Sequence, residues 1–403
     1  MSPDNKAQSE GPILLVGFST RGIAESAVRG GYNVITLDYF GDRDQKELVQ
    51  NYSLMRDFDL GFSAEALLIA SRSLSFVALA YVSSLENHPD VLEEMAGCRT
   101  LLGNYPATLR RARDWGTLRE VCLYEGIPFP ATLLPGEEPQ ADRRKVWLTK
   151  PLRSGGGHGI VFWRGDPLGE RRFLQEYIKG TPASAAFVAD GQDCVLIGIT
   201  EQLIGRRELG AHRFTWCGNI LLPPRYFLDK GGAGVIAAVR EIIRKITRVF
   251  GLRGVNGVDL VLSRDETGCL VPYLVEVNPR YTASMELMEQ AYGINIFDLH
   301  VRACRGELPS FSLEESADRT DFYGKGIVYA RKDVVMPETV GWKSLGRRDI
   351  PFPGEPIAAR HPICTVLAQG NTRDQCWHRL RTAAEAVWRE VEQTPSEGGE
   401  SNA

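Results

Sequence analysis

Two stretches of alternating apolar and polar residues constrain this chain most. They are Gly254-Val255-Asn256-Gly257-Val258-Asp259-Leu260-Val261-Leu262 and Tyr273-Leu274-Val275-Glu276-Val277-Asn278, on either side of Arg264-Asp265-Glu266-Thr267-Gly268. A period of two marks half-buried strands, and a short polar insert ending in glycine joins them as a hairpin. Pairing through that turn brings Asp259 roughly opposite Glu276, while Glu276 and Asn278, two apart, share one face. Two carboxylates and an amide on one face predict a seat for a hard cation, such as Mg²⁺, that also holds phosphates. Arg280, just past the strand, adds a planar fork suited to phosphate or carboxylate. Two ordinary strands with solvated acids on the outer face would carry the same pattern.

A second element lies upstream. Val146-Trp147-Leu148-Thr149-Lys150-Pro151 reads as a strand ending in a lysine, followed by Ser154-Gly155-Gly156-Gly157-His158-Gly159. Glycines without Cβ atoms let backbone N–H groups close over phosphates, with the lysine as a point charge beneath. The run lacks the Gly-Lys-Ser/Thr order of a Walker A loop, and no helix pattern opens at its end as a dinucleotide fingerprint requires. A third element, Phe173-Leu174-Gln175-Glu176-Tyr177-Ile178-Lys179-Gly180, is a short strand and turn whose backbone can meet an adenine edge.

Lysine, glycine loop, hinge strand, Asp and Glu-x-Asn occur in this order between Lys150 and Asn278. The ordered set resembles the ATP-grasp superfamily over roughly residues 1–310. The resemblance implies ATP and Mg²⁺ as cofactors. Lys150 would contact the phosphates, with Ser154, Gly155, Gly156, Gly157, His158 and Gly159 closing over them. Gln175, Glu176, Tyr177 and Ile178 would frame the adenine, and Asp259, Glu276 and Asn278 would bind the metal. Arg280 and Lys150 would carry the catalytic charge, and Glu86, Glu201, Arg280 and Ser284 would face the substrate. Two positions depart from the family pattern. The basic residue near the helix before the first lobe falls at Arg113-Asp114-Trp115, and Pro182 stands where many relatives place an acid for the ribose.

The resemblance also implies the reaction, in which a carboxylate is phosphorylated to an acyl phosphate and joined to an amine, releasing ADP and phosphate. Two rival readings are a carboxylase using bicarbonate and a non-catalytic nucleotide-binding regulator. Gly103-Asn104-Tyr105-Pro106, Thr200-Glu201-Gln202-Leu203-Ile204-Gly205, Cys217-Gly218-Asn219-Ile220 and Asn278-Pro279-Arg280-Tyr281-Thr282-Ala283-Ser284 form a narrower set. They are similar to ATP-grasp carboligases encoded beside one-carbon cofactor genes, of the tetrahydromethanopterin or methanofuran type.

At 403 residues the chain exceeds a single core. The expected architecture is α/β and α+β multidomain. Residues 1–115 form a Rossmann-like, doubly wound domain and 116–310 the two-lobed ATP-grasp domain. Residues 311–392 form a small β-rich C-terminal domain, and 393–403 a disordered tail. Glu86 and Asn87 follow the strand 76–82 and are placed to face the cleft, although a helix cap would also explain Asn87. The loop Gly17–Gly22 reads as a tight turn or as an anion pocket, with Ser19, Thr20 and Arg21 as acceptor-pocket candidates. Cys217 and His212, five apart, read as a nucleophile pair or as a buried thiol beside an unrelated histidine.

The net charge of −4 excludes the basic excess of a typical nucleic-acid binder. No apolar run approaches the ~20 residues that span a bilayer. The polar N-terminus lacks a signal-peptide core, and the eight scattered cysteines fit a reducing compartment. A cytoplasmic enzyme with small-molecule partners is expected, with no nucleic acid and no membrane. A homodimer fits the resemblance.

Overall fold

The computed structural model describes residues 11–392 except 230–232, 314 and 317–318. The tail 393–403 expected to be disordered, and the polar residues 1–10, lie outside the described residues.

Strands β1 (Ile13–Val16), β2 (Val34–Asp38), β3 (Gln50–Ser53), β4 (Ala78–Tyr81) and β5 (Thr100–Leu102) form a parallel sheet in the order β3-β2-β1-β4-β5. The run Ile-Leu-Leu-Val in β1 is apolar throughout because both faces are covered. Leu14 and Val16 enter one apolar core, and Ile13 and Leu15 the other. The doubly wound start is thus present, and the strand order reverses between β1 and β4.

Strands β6 (Thr132–Leu133), β7 (Trp147–Pro151), β8 (Val161–Phe162) and β9 (Arg172–Glu176) make an antiparallel sheet ordered β6-β9-β7-β8. Then follow β10 (Thr181–Asp190), β11 (Cys194–Ile204), β12 (Trp216–Leu222), β13 (Arg253–Arg264), β14 (Leu270–Asn278) and β15 (Phe322–Tyr329). The last four are β16 (Val334–Val335), β17 (Arg347–Arg348), β18 (Pro356–Ile357) and β19 (Pro362–Gly370). β16 pairs with β18, and the rest form one antiparallel sheet ordered β14-β13-β10-β11-β12-β15-β19-β17.

Residues 311–392, expected as a domain of their own, therefore extend the central sheet. β15 pairs with β12 from Gly218↔Gly326 to Leu221↔Tyr323, satisfying backbone groups that would otherwise form an open edge. The helix Arg373–Glu392 covers this extension. Cys376, Leu380, Ala384, Val387, Trp388 and Val391 bury one face of it, and Trp388 Nε1 donates to Tyr329 O at 3.1 Å.

Among the described residues no helix is long and apolar enough to cross a membrane. All eight cysteines are unbridged.

Candidate functional site

The β13–β14 hairpin brings together the residues that its sequence suggests. Asp259 pairs with Glu276 and Gly257 with Asn278, with a bulge between Asp259 and Leu260. Burial and the facing Glu276 push the Asp259 carboxyl up to about 7, while Arg280 and Lys150 pull it back. A buried carboxyl whose proton affinity is raised by a facing carboxylate is what a divalent cation would relieve. The described residues contain no group of three or more His, Cys, Asp or Glu side chains placed to hold a metal. Two carboxylates and an amide suit Mg²⁺, which is usually bound by one or two carboxylates together with substrate phosphates and water.

Lys150 is the penultimate residue of β7 and is buried, with its Nζ donating to Gln175 Oε1 at 2.6 Å. Burial lowers its pKa, against the opposing pull of Glu276 and Asp259. Lys150 therefore faces the carboxylate pair from the small sheet. Gln175, expected at the adenine, orients this lysine with its side chain. Glu176 turns away to accept from Lys145 Nζ at 2.8 Å. The N–H groups of Glu176 and Tyr177 already donate to Ala131 O and Val146 O. Tyr177 is exposed and Ile178 half-buried beside them.

The segment Ser154–Gly159 is an irregular loop between β7 and β8, with Gly155, Gly156, His158 and Gly159 exposed. Trp216 N donates to Gly156 O at 3.0 Å. Gly157 has φ +78°, and a Cβ there would overlap the Phe214 carbonyl. This close approach needs glycine at that position.

Arg280 donates through Nε to Glu86 Oε1 at 2.7 Å, and through Nη2 to Asn278 Oδ1 at 3.1 Å. Tyr81 OH and Asn104 Nδ2 both donate to Pro279 O at 3.0 Å, tying the parallel sheet to the hairpin exit. Glu86 is buried, and its Oε2 has no partner. Ser284, also buried, starts the helix Met285–Tyr292, its Oγ 3.1 Å from Thr282 Oγ1.

Glu201 does not join these residues. It lies on the face of β11 opposite Gln202, where Arg373 grips both its oxygens, at 2.9 Å from Nε and 2.6 Å from Nη2. Its neighbour takes the expected place, since Gln202 Nε2 donates to Asp259 Oδ1 at 3.0 Å. Arg113 also belongs to the site. Its Nη1 donates to Glu276 Oε1 and to Val277 O, both at 2.8 Å, and its Nε donates to Asn87 Oδ1 at 3.0 Å. Burial opposes the Arg113 charge, but Glu276 and Glu86 hold its pKa above the ordinary value. The Arg113-Asp114-Trp115 string was the signal for this contact. Asn87 is thereby explained without a helix cap.

Three further candidates are placed as follows. Arg21 is buried between Glu286 and Asp349, with Nη1 2.6 Å from Glu286 Oε1 and Nε 2.9 Å from Asp349 Oδ1, so it is no free acceptor group. Thr20 Oγ1 donates to Asp38 at 2.7 Å. Cys217 is buried with its thiol donating to Leu203 O, burial pushes its pKa up to about 11, and His212 is exposed, so no nucleophile pair forms.

Residues 118–284 match the protein family described as the ATP-grasp domain. An uncharacterized protein of Methanocaldococcus jannaschii is 21% identical over 384 residues, covering 89% of this chain and 88% of its own. The carbamoyl phosphate synthase large chain of Halobacterium salinarum is 26% identical over 182 residues, 41% of this chain but only 16% of that protein. Among solved structures, the biotin carboxylase domain dimer of Hydrogenobacter thermophilus 2-oxoglutarate carboxylase, in complex with MgADP, ADP and bicarbonate, superposes with a TM-score of 0.66. The two are 16% identical over 93% of this chain and 90% of that one. An L-amino acid ligase from Bacillus licheniformis gives 0.63 at 14% identity, over 93% and 97%. At these identities the likeness to the solved structures is one of fold: a mixed α/β chain with an ATP-grasp domain.

Proposed function

We propose that the chain is an ADP-forming carbon–nitrogen ligase that activates a carboxylate as an acyl phosphate and joins it to an amine. Its cofactors are ATP and Mg²⁺. The observation that carries the reading is the pairing of Asp259 with Glu276, with Lys150, Arg113 and Arg280 around it. Mg²⁺ held by Asp259, Glu276 and Asn278 would supply charge neutralisation on the ATP phosphates.

The chain's own groups do the rest. Lys150, oriented by Gln175, and Arg113, oriented by Asn87, bring positive charge to the oxygens between which a phosphoryl group moves. Arg280, steadied by Glu86, holds the acid by its guanidinium fork. The loop Ser154–Gly159 covers the phosphates and excludes water from an acyl phosphate that hydrolyses readily. A role in assembling one-carbon cofactors rests on the sequence resemblance alone, and a homodimer on the fold likeness.

A second reading, an ATP-dependent carboxylase using bicarbonate, is favoured by the continuation of the central sheet into β15 and β19 and by the fold likeness to a biotin carboxylase domain. Mass spectrometry after incubation with MgATP, bicarbonate and a panel of acids crossed with amines separates the two. ADP formation that needs both an acid and an amine, with a product of their summed mass less water, supports the ligase. ADP formation that needs bicarbonate supports the carboxylase, and AMP as product overturns both.

A further inference from the structure

We infer that an aromatic cluster at the open end of the parallel sheet binds a planar ring carried by the acid or the amine, so that one of the two substrates is aromatic or heteroaromatic. The inference rests on the ligase reading for its substrate, though not for its test.

Phe18 follows β1, Tyr39 and Phe40 follow β2, and Phe62 precedes the helix Ala64–Ser71. The Phe18 ring meets those of Phe62 and Phe40 edge-on at 4.7 and 4.9 Å, and lies within 5° of parallel to Tyr39 at 5.9 Å. Tyr39 and Phe62 rest on the core beneath, whereas Phe18 is 37% exposed. Its backbone is held on both sides: Phe18 N donates to Ser83 O at 2.5 Å, and Phe18 O accepts from Tyr39 N at 3.2 Å. A large ring on a pinned backbone, half out of water and edged by other rings, is a prepared stacking surface.

Its location connects it with the site. β2, β1 and β4 are adjacent and parallel, so the segments leaving them emerge at one edge of the sheet, about 5 Å apart per strand. Ser83, which receives the Phe18 N–H, stands three residues before Glu86, the partner of Arg280. The order of the strands reverses between β1 and β4, and in open α/β sheets ligands sit in the crevice at that point, outside the carboxyl ends. A substrate whose carboxylate lies on Arg280 would thus extend its remaining part towards Phe18.

The test is saturation-transfer NMR on the full chain with saturating MgADP, which fills the adenine pocket. Tryptamine and indole-3-acetate are compared with butylamine and butyrate. At least one indole probe should receive saturation while the aliphatic probes do not. Phe18→Ala and Phe62→Ala should abolish the transfer, and Phe18→Leu, which keeps the bulk without the ring, should weaken binding roughly tenfold. Equal transfer to the aliphatic probes, or undiminished transfer in both alanine variants, would overturn the inference. So would variants that change only the self-association of the chain. If no acid and amine pair yields ADP while the Phe18-dependent signal persists, the ligase reading fails and the ring site stands.

Discussion

Arg113 Nη1 and Glu276 Oε1 stand 2.8 Å apart, joining the end of the helix Pro106–Ala112 to the proposed metal seat on β14, 163 residues further along the chain. This ion pair makes the turn before the first lobe part of the site.

Arg113→Met should remove a positive charge that would face the phosphates and leave Glu276 without its partner. Because Glu276 is only partly buried, the stability cost should be about 2 kcal/mol, below that of a fully buried pair. The rate of ADP release should fall at least about a hundredfold, as for other groups that stabilise charge in the transition state. A steady-state assay beside a thermal melt reads both effects, and unchanged kcat/KM would remove Arg113 from the site.

Glu276→Gln keeps the shape of the side chain and deletes one of the two facing charges. Turnover should be abolished with the fold intact, and Mg²⁺ titration should lose its saturation. Near-normal activity in this variant would sink the metal assignment.

Gly157→Ala introduces a Cβ where the Phe214 carbonyl stands, at a φ that side chains rarely adopt. The glycine loop should no longer rest against Phe214, raising KM for ATP about tenfold, the equivalent of roughly 1.4 kcal/mol of binding, with little change in global stability. An ATP KM equal to that of the parent would show that this approach does not serve the nucleotide.

His300 provides a pH signature away from the site. Val255 N donates to its Nδ1 at 3.0 Å, so Nε2 carries the proton and faces Leu102 O at 3.2 Å. Burial lowers its pKa from 6.5 to about 4. The unfolded chain therefore takes up this proton first. The contribution of neutral His300 is complete above pH 6.5 and is lost as pH falls towards 4, by on the order of 3 kcal/mol. In His300→Gln the melting temperature should decline less across that window. An identical decline would assign the acid sensitivity elsewhere.

Local periodicity carried much of the fold. The parallel start, the lysine at the end of β7 and the hairpin were legible because strand alternation and a short turn depend on neighbours in the chain. Residues 311–392 were not legible as part of the central sheet, because β15 reads as a strand in any context and only its pairing with β12 decides where it belongs. Arg21 illustrates the same limit. Its loop suggested a free charge, yet its partners are Glu286 and Asp349, far along the chain.

By itself the sequence determined that Asp259 and Glu276 would lie roughly opposite on the two strands of one hairpin. The bulge between Asp259 and Leu260 sets them face to face, since the pairs nearer the turn run from Leu260↔Leu274 to Arg264↔Leu270. The sequence also determined that Glu201 and Gln202 would point to opposite faces of their strand. Which of the two meets Asp259 was decided only by the tertiary structure. β11 reaches β13 through β10: Ser184 pairs with Asp259 on one side and with Thr200 on the other, so Thr200 and Gln202, two apart, share the Asp259 face. Gln202 thereby came to Asp259, Glu201 to Arg373, and Arg113 to Glu276. Such contacts join residues 57 to 172 positions apart, and at that separation they depend on how whole layers pack rather than on any local rule.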